Sequence, residues 1–206
     1  MQRREFTLRL TGAVAAPLLV WPGLAGAAPI GQAAPAFRLK DTDGHTVRLD
    51  SFRGRTVVLE WLNPGCPFVR KHYQGNMQAL QREYTAQGVA WLAINSTEPA
   101  SSDHMAPAQL AQWMRDRQAA ATAVLMDEDG TTGRAYGARV TPHMYLIDAR
   151  GVLVYAGAID SVASARVADI ERATNYVRQG LDELLAGKPV SVPSSQAYGC
   201  AIKYQA

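Results

Sequence analysis

The chain has 206 residues, 48% of them hydrophobic and 19% charged, with only two cysteines, which is enough for one domain with a buried core. Two of its three net positive charges fall within residues 1–27, where Arg3, Arg4 and Arg9 stand against Glu5. The remainder is close to neutral, which excludes an electrostatic case for nucleic-acid binding.

Residues 1–27 read as an export signal. Arg3-Arg4-Glu5-Phe6-Thr7-Leu8 resembles the twin-arginine pattern, and an uncharged segment follows, ending in the small residues Ala25-Gly26-Ala27. The competing reading, a membrane anchor, is opposed by Pro17 and Pro22. The expectation is therefore a cleaved signal, no stable membrane association, and a mature domain over 28–206. Its address would be the bacterial periplasm, where disulfides persist.

Residues 36–39 and 46–49 alternate apolar with polar around Asp43-Gly44 and predict an N-terminal β-hairpin. Residues 56–62 form an apolar, β-branched run, the pattern of a buried strand. Asn63-Pro64-Gly65 breaks it, and Cys66-Pro67 opens a helix. That helix is expected to break at Gly75-Asn76 and to resume with Met77, Leu80 and Tyr84 on its apolar face. A strand is predicted over 89–95, a helix from Pro107 through Met114, a strand over 123–126 and a short helix over 131–136. A strand pair follows around Ala149-Arg150-Gly151, then a helix over 169–186. The tail, 188–206, bears Cys200 and is expected to be loosely structured. This order predicts an α/β fold with a mixed central sheet flanked by helices.

Cys66 is the first candidate for chemistry. Free N–H groups and the macrodipole at a helix start favour an anion, and the thiolate is the reactive form of cysteine. Glu60 is a carboxylate inside Val57-Val58-Leu59-Glu60-Trp61-Leu62, unexpected in a strand buried on both faces. Burial would raise its pKa and suit it to proton transfer; the alternative is a solvent-facing or lysine-paired side chain. Arg70, one turn past Cys66, leans back over the helix start and could support a thiolate, or it is a solvated surface arginine. Lys71 and His72 read as surface or packing residues.

Cys66-Pro67-Phe68-Val69-Arg70-Lys71-His72-Tyr73, Gly75-Asn76-Met77, Thr141-Pro142-His143 and Tyr198-Gly199-Cys200-Ala201-Ile202-Lys203-Tyr204 together resemble the exported peroxiredoxin-like redoxins, thioredoxin-fold proteins beside the thioredoxin and peroxiredoxin families. The resemblance covers about residues 30 to 206. It implies a thiol–disulfide oxidoreductase without a cofactor, acting on protein or small-molecule thiols and disulfides, or on peroxide, and reset by an external thiol reductant. Within it Cys66 is the attacking thiolate, Cys200 the resolving thiol and Glu60 the buried acid. Pro67, Arg70, Thr141 and Pro142 are the substrate-binding candidates, Thr141-Pro142 being the cis-proline loop. The sequence departs from its relatives at Val69, where thioredoxins carry a second cysteine, and at Asn63, where peroxiredoxins carry threonine. Arg139 is not equivalent to the peroxide-binding arginine.

Two other classes compete. One is a non-catalytic binding module in which Cys66 and Cys200 form a structural disulfide. The other is a copper-binding protein using Cys66, His143 and Met144, although no metal-ligand spacing supports a metal site.

Overall fold

The computed structural model describes residues 28–205; the expected signal segment, 1–27, lies outside the described residues. Arg38–Asp41 (β1) and Thr46–Arg48 (β2) pair antiparallel as the expected hairpin. Val57–Trp61 (β3) follows, then the helices Pro67–His72 (α1) and Asn76–Ala86 (α2). Ala90–Asn95 (β4), Pro107–Asp116 (α3), Ala123–Met126 (β5) and Thr131–Tyr136 (α4) come next. Val140–Thr141 (β6), His143–Ile147 (β7), Leu153–Gly157 (β8), Tyr176–Leu185 (α5) and Cys200–Ala201 (β9) complete the order.

Seven strands form one mixed sheet in the order β2-β1-β5-β4-β3-β7-β8. β3, β4 and β5 run parallel, while β7 lies antiparallel to β3 and β8 antiparallel to β7. β3 and β4 are central, and every residue of both is buried. This explains their unbroken apolar runs, since a strand covered on both faces has no solvent side to mark.

Strand alternation divides the core. Val58 and Leu62 pack on one face with Cys66, Val69, Tyr73, Met77, Trp91 and Met144. Val57, Leu59 and Trp61 pack on the other with Tyr136, Tyr145 and Ile147. By the same parity, Glu60 belongs to the face that carries Cys66.

Two expectations need correction. The last helix begins at Tyr176 and not at 169, because Asn175 is its N-cap and accepts from Arg178 N at 2.9 Å. The residues before it form a loop with a short 3-10 helix, Val167–Asp169, closed by Ser161 N donating to Thr174 O at 3.0 Å. The tail is not loose either. β9 pairs antiparallel with β6, Ile202 N donates to Arg139 O at 3.0 Å, and Glu98 N donates to Lys203 O at 2.8 Å. Tyr204 donates its hydroxyl to Ala138 O at 2.8 Å and lies against Gly130 and Gly133, where a Cβ would overlap its ring.

Candidate active site

Cys66 is the N-cap residue of α1, and Pro67 takes the first helical position, where no N–H partner is needed. The preceding turn is built by Asn63. Its Oδ1 accepts from Gly65 N at 2.7 Å, and its Nδ2 donates to Thr97 Oγ1 at 2.8 Å, which ties the turn to the end of β4. Asn63 therefore shapes the loop that presents Cys66. Arg70 is exposed, and its Nε donates to Pro64 O at 2.7 Å. It braces the turn; no bond from its guanidinium to the sulfur is present among the described residues.

Cys66 is only 2% exposed, and its Sγ donates to Thr141 O at 2.9 Å. The Thr141–Pro142 peptide bond is cis. Thr141 stands opposite Cys200 in the β6–β9 register, so the tail brings the second cysteine to the first. Both thiols are free, and Cys200 packs against the core cluster that holds Cys66. The Cys200 pKa is pushed up to about 11, chiefly by burial and then by its neighbour Cys66. Cys200 thus keeps its proton at neutral pH.

Glu60 is fully buried, and among the described residues no lysine pairs with it. Its Oε2 accepts from Trp91 Nε1 at 2.8 Å and from Gln81 Nε2 at 3.2 Å, while Oε1 has no partner among the described residues. Loss of hydration raises its pKa to about 7, against the opposing pull of Trp91, Tyr73 and Gln81. The consequence for stability has a definite sign. Between about 4.5, the unfolded value, and about 7 the folded state binds more protons, so stability falls as pH rises through that window. The full loss is about 3 kcal/mol, reached above the folded pKa. Urea unfolding of wild type and Glu60→Gln across this range should show the wild type's stability falling with that slope relative to the variant, since other titrating groups such as His72 cancel in the difference; parallel profiles would mean that Glu60 does not titrate there.

Sequence reading missed a buried polar cluster beneath α1. Of the two readings for Lys71 and His72, surface or packing, the second holds: both are almost wholly buried. Lys71 Nζ lies 3.3 Å from Asp160 Oδ2 and donates to Val162 O at 3.3 Å. Tyr198 donates its hydroxyl to Asp160 Oδ1 at 2.5 Å. Asn76 Nδ2 donates to His72 Nδ1 at 2.8 Å, which leaves the Nε2 proton for Tyr198 Oη at 3.2 Å. Burial lowers the His72 pKa to about 4, with Asp160 opposing, so this imidazole is neutral in the cluster. His72 was readable as inward-facing from its spacing to Val69. Lys71 was not, because its partner lies far along the chain.

His143 does not join Cys66. It lies on β7 beside Tyr145, on the sheet face opposite Met144, and its Nδ1 is 3.3 Å from the Tyr145 hydroxyl. Among the described residues, three or more His, Cys, Asp or Glu ligand atoms converge only at Asp41, Asp43 and His45 in the hairpin turn.

A mixed sheet with a cysteine at a helix start and a cis-proline loop against it defines a thioredoxin-fold redoxin. The chain belongs to the AhpC/TSA family, whose model matches residues 30–156. It is 29% identical over 124 residues to the thiol-disulfide oxidoreductase ResA of Halalkalibacterium halodurans, a match covering 60% of this chain and 65% of that protein. The chain thus spans just under two thirds of that relative's length. A hypothetical protein of Sinorhizobium meliloti superimposes with a TM-score of 0.75 at 26% identity, over 88% of this chain and 97% of that one. The exposed lipoprotein thioredoxin Etrx1 of Streptococcus pneumoniae shares the fold, with a TM-score of 0.51 at 22% identity, over 73% of this chain and all of that one. Asp160, Tyr198 and Cys200 lie beyond the stretch that the family model matches.

Proposed function

We propose that this protein is an exported thiol–disulfide oxidoreductase in which Cys66 attacks and Cys200 resolves. The observation that carries the reading is the β6–β9 register, with Cys200 opposite Thr141, the residue whose carbonyl accepts from Cys66 Sγ. The Cys66 thiolate attacks one sulfur of a substrate disulfide. That S–S bond breaks, a Cys66–substrate bond forms, and the other sulfur leaves as a thiolate that takes up a proton. Cys200 then loses its proton and displaces the second substrate sulfur, giving a Cys66–Cys200 disulfide. Two protein thiols are oxidised, one substrate disulfide is reduced, and an external thiol resets the pair. Glu60, near its own pKa at neutral pH, is the candidate proton reservoir on the same sheet face. Thr141 and Pro142 frame the sulfur, while Pro67 and Arg70 shape and brace the helix start. The test is trapping: Cys200→Ser should hold substrate sulfur on Cys66 as a stable adduct.

Export rests on residues 1–27, with their Arg3-Arg4 pair. Among the described residues no helix is long and apolar enough to cross a membrane. Replacing both arginines with lysine should leave the precursor in the cytoplasm on cell fractionation; an unchanged periplasmic yield would remove the twin-arginine assignment.

A further inference from the structure

We infer that the C-terminal strand β9 occupies the edge along which an extended polypeptide would reach Cys66, so that the site selects small disulfides and admits polypeptide disulfides only when the tail lifts. This rests on Cys66 being the attacking thiol, and it adds the class of substrate.

The strand edge nearest the sulfur is β6, whose Thr141 carbonyl already accepts from Cys66 Sγ. An extended chain presenting a sulfur there would gain its affinity by main-chain pairing along that edge. β9 has taken the pairing, with Val140 opposite Ala201 and Thr141 opposite Cys200. The approach is close enough to require glycine. Gly199 has φ +144°, and a Cβ on it would overlap the Thr141 carbonyl oxygen.

The strand is fastened on both sides. Ahead of it, Tyr198 bonds Asp160 and His72 and packs edge-on against Phe68 of α1 at 5.7 Å. Behind it, Ile202, Lys203 and Tyr204 bond Arg139, Glu98 and Ala138. Cys200 is therefore presented as a built-in strand partner, and a small disulfide needs no β6 edge to meet Cys66. Tyr198 and Gly199 are positioning residues, acting through the strand they hold.

The experiment uses the full chain with Cys200→Ser as a trap, alone and combined with Gly199→Ala. Adduct formation on Cys66 is timed with hydroxyethyl disulfide and with the mixed disulfide of mercaptoethanol and an unstructured single-cysteine peptide. In the trap alone the small disulfide should react faster. Gly199→Ala should raise the peptide rate by about tenfold or more, the effect of losing the strand's few net hydrogen bonds, and leave the small-disulfide rate within a few-fold. Amide exchange at Ile202 should quicken in the same variant. Tyr198→Phe, which keeps the ring and removes the hydroxyl, should give a smaller rise of the same selectivity. Equal peptide and small-disulfide rates in the trap, or rates that rise together in both variants, would overturn the inference while leaving Cys66 as the nucleophile. Absence of any adduct would overturn both.

Discussion

Asp160→Asn is expected to lower the unfolding free energy by about 3–5 kcal/mol, because removing one partner of a buried pair leaves the other charge uncompensated. Lys71 and Asp160 are almost fully out of solvent, and the carboxylate also receives the Tyr198 hydroxyl and Val162 N. With asparagine in place the ammonium keeps only neutral partners, the Val162 carbonyl and the face of the Tyr198 ring at 5.7 Å. Adding Lys71→Met should recover most of the loss, since the doubly substituted site buries no charge. Urea unfolding of the two single variants and the double variant measures the coupling. Additive losses would show that the two charges do not depend on each other.

The parts of this site that rest on local chemistry were legible in the sequence. The turn at Asn63-Pro64-Gly65, the proline after Cys66 and the apolar run before them place a cysteine at a helix start, where the structure has it. The central strands and the hairpin were legible for the same reason, whereas the Thr141-Pro142 loop came from the family resemblance and not from the dipeptide. Glu60 was only half legible. An acid in an apolar strand announces itself, but its burial depends on Trp91 from β4 and Gln81 from α2, neither adjacent in sequence. The tail was misread because its anchors are distant: Tyr198 finds Asp160, and Tyr204 finds Ala138 and the two glycines of the α4 region. Proline and serine in 188–206 describe a segment without its own helix or long strand. They are silent on whether a neighbour supplies the pairing. The early start expected for α5 came from Ile170 and Ala173 continuing the helical spacing, while the Asn175 cap overrides it.

The central claim is that the two cysteines differ in role, and single substitution separates the roles most directly. Cys200→Ser and Cys66→Ser, each reduced, are exposed at neutral pH to a small disulfide and to peroxide, with mass analysis and a dimedone probe reading the sulfur that remains. The expected result is asymmetric. Cys200→Ser accumulates a stable disulfide adduct, or a sulfenic acid with peroxide, on Cys66, because nothing is left to resolve it. Cys66→Ser stays largely unlabelled, because Cys200 sits away from a helix start in a setting where burial holds its proton. The ratio of the two labelling rates on Cys66 then ranks disulfide against peroxide as the substrate. A structural bridge gives a different pattern: each substitution lowers stability by a matched amount, about 2–5 kcal/mol, and neither traps a species. Equal, slow labelling of the two variants together with that matched loss would contradict the account.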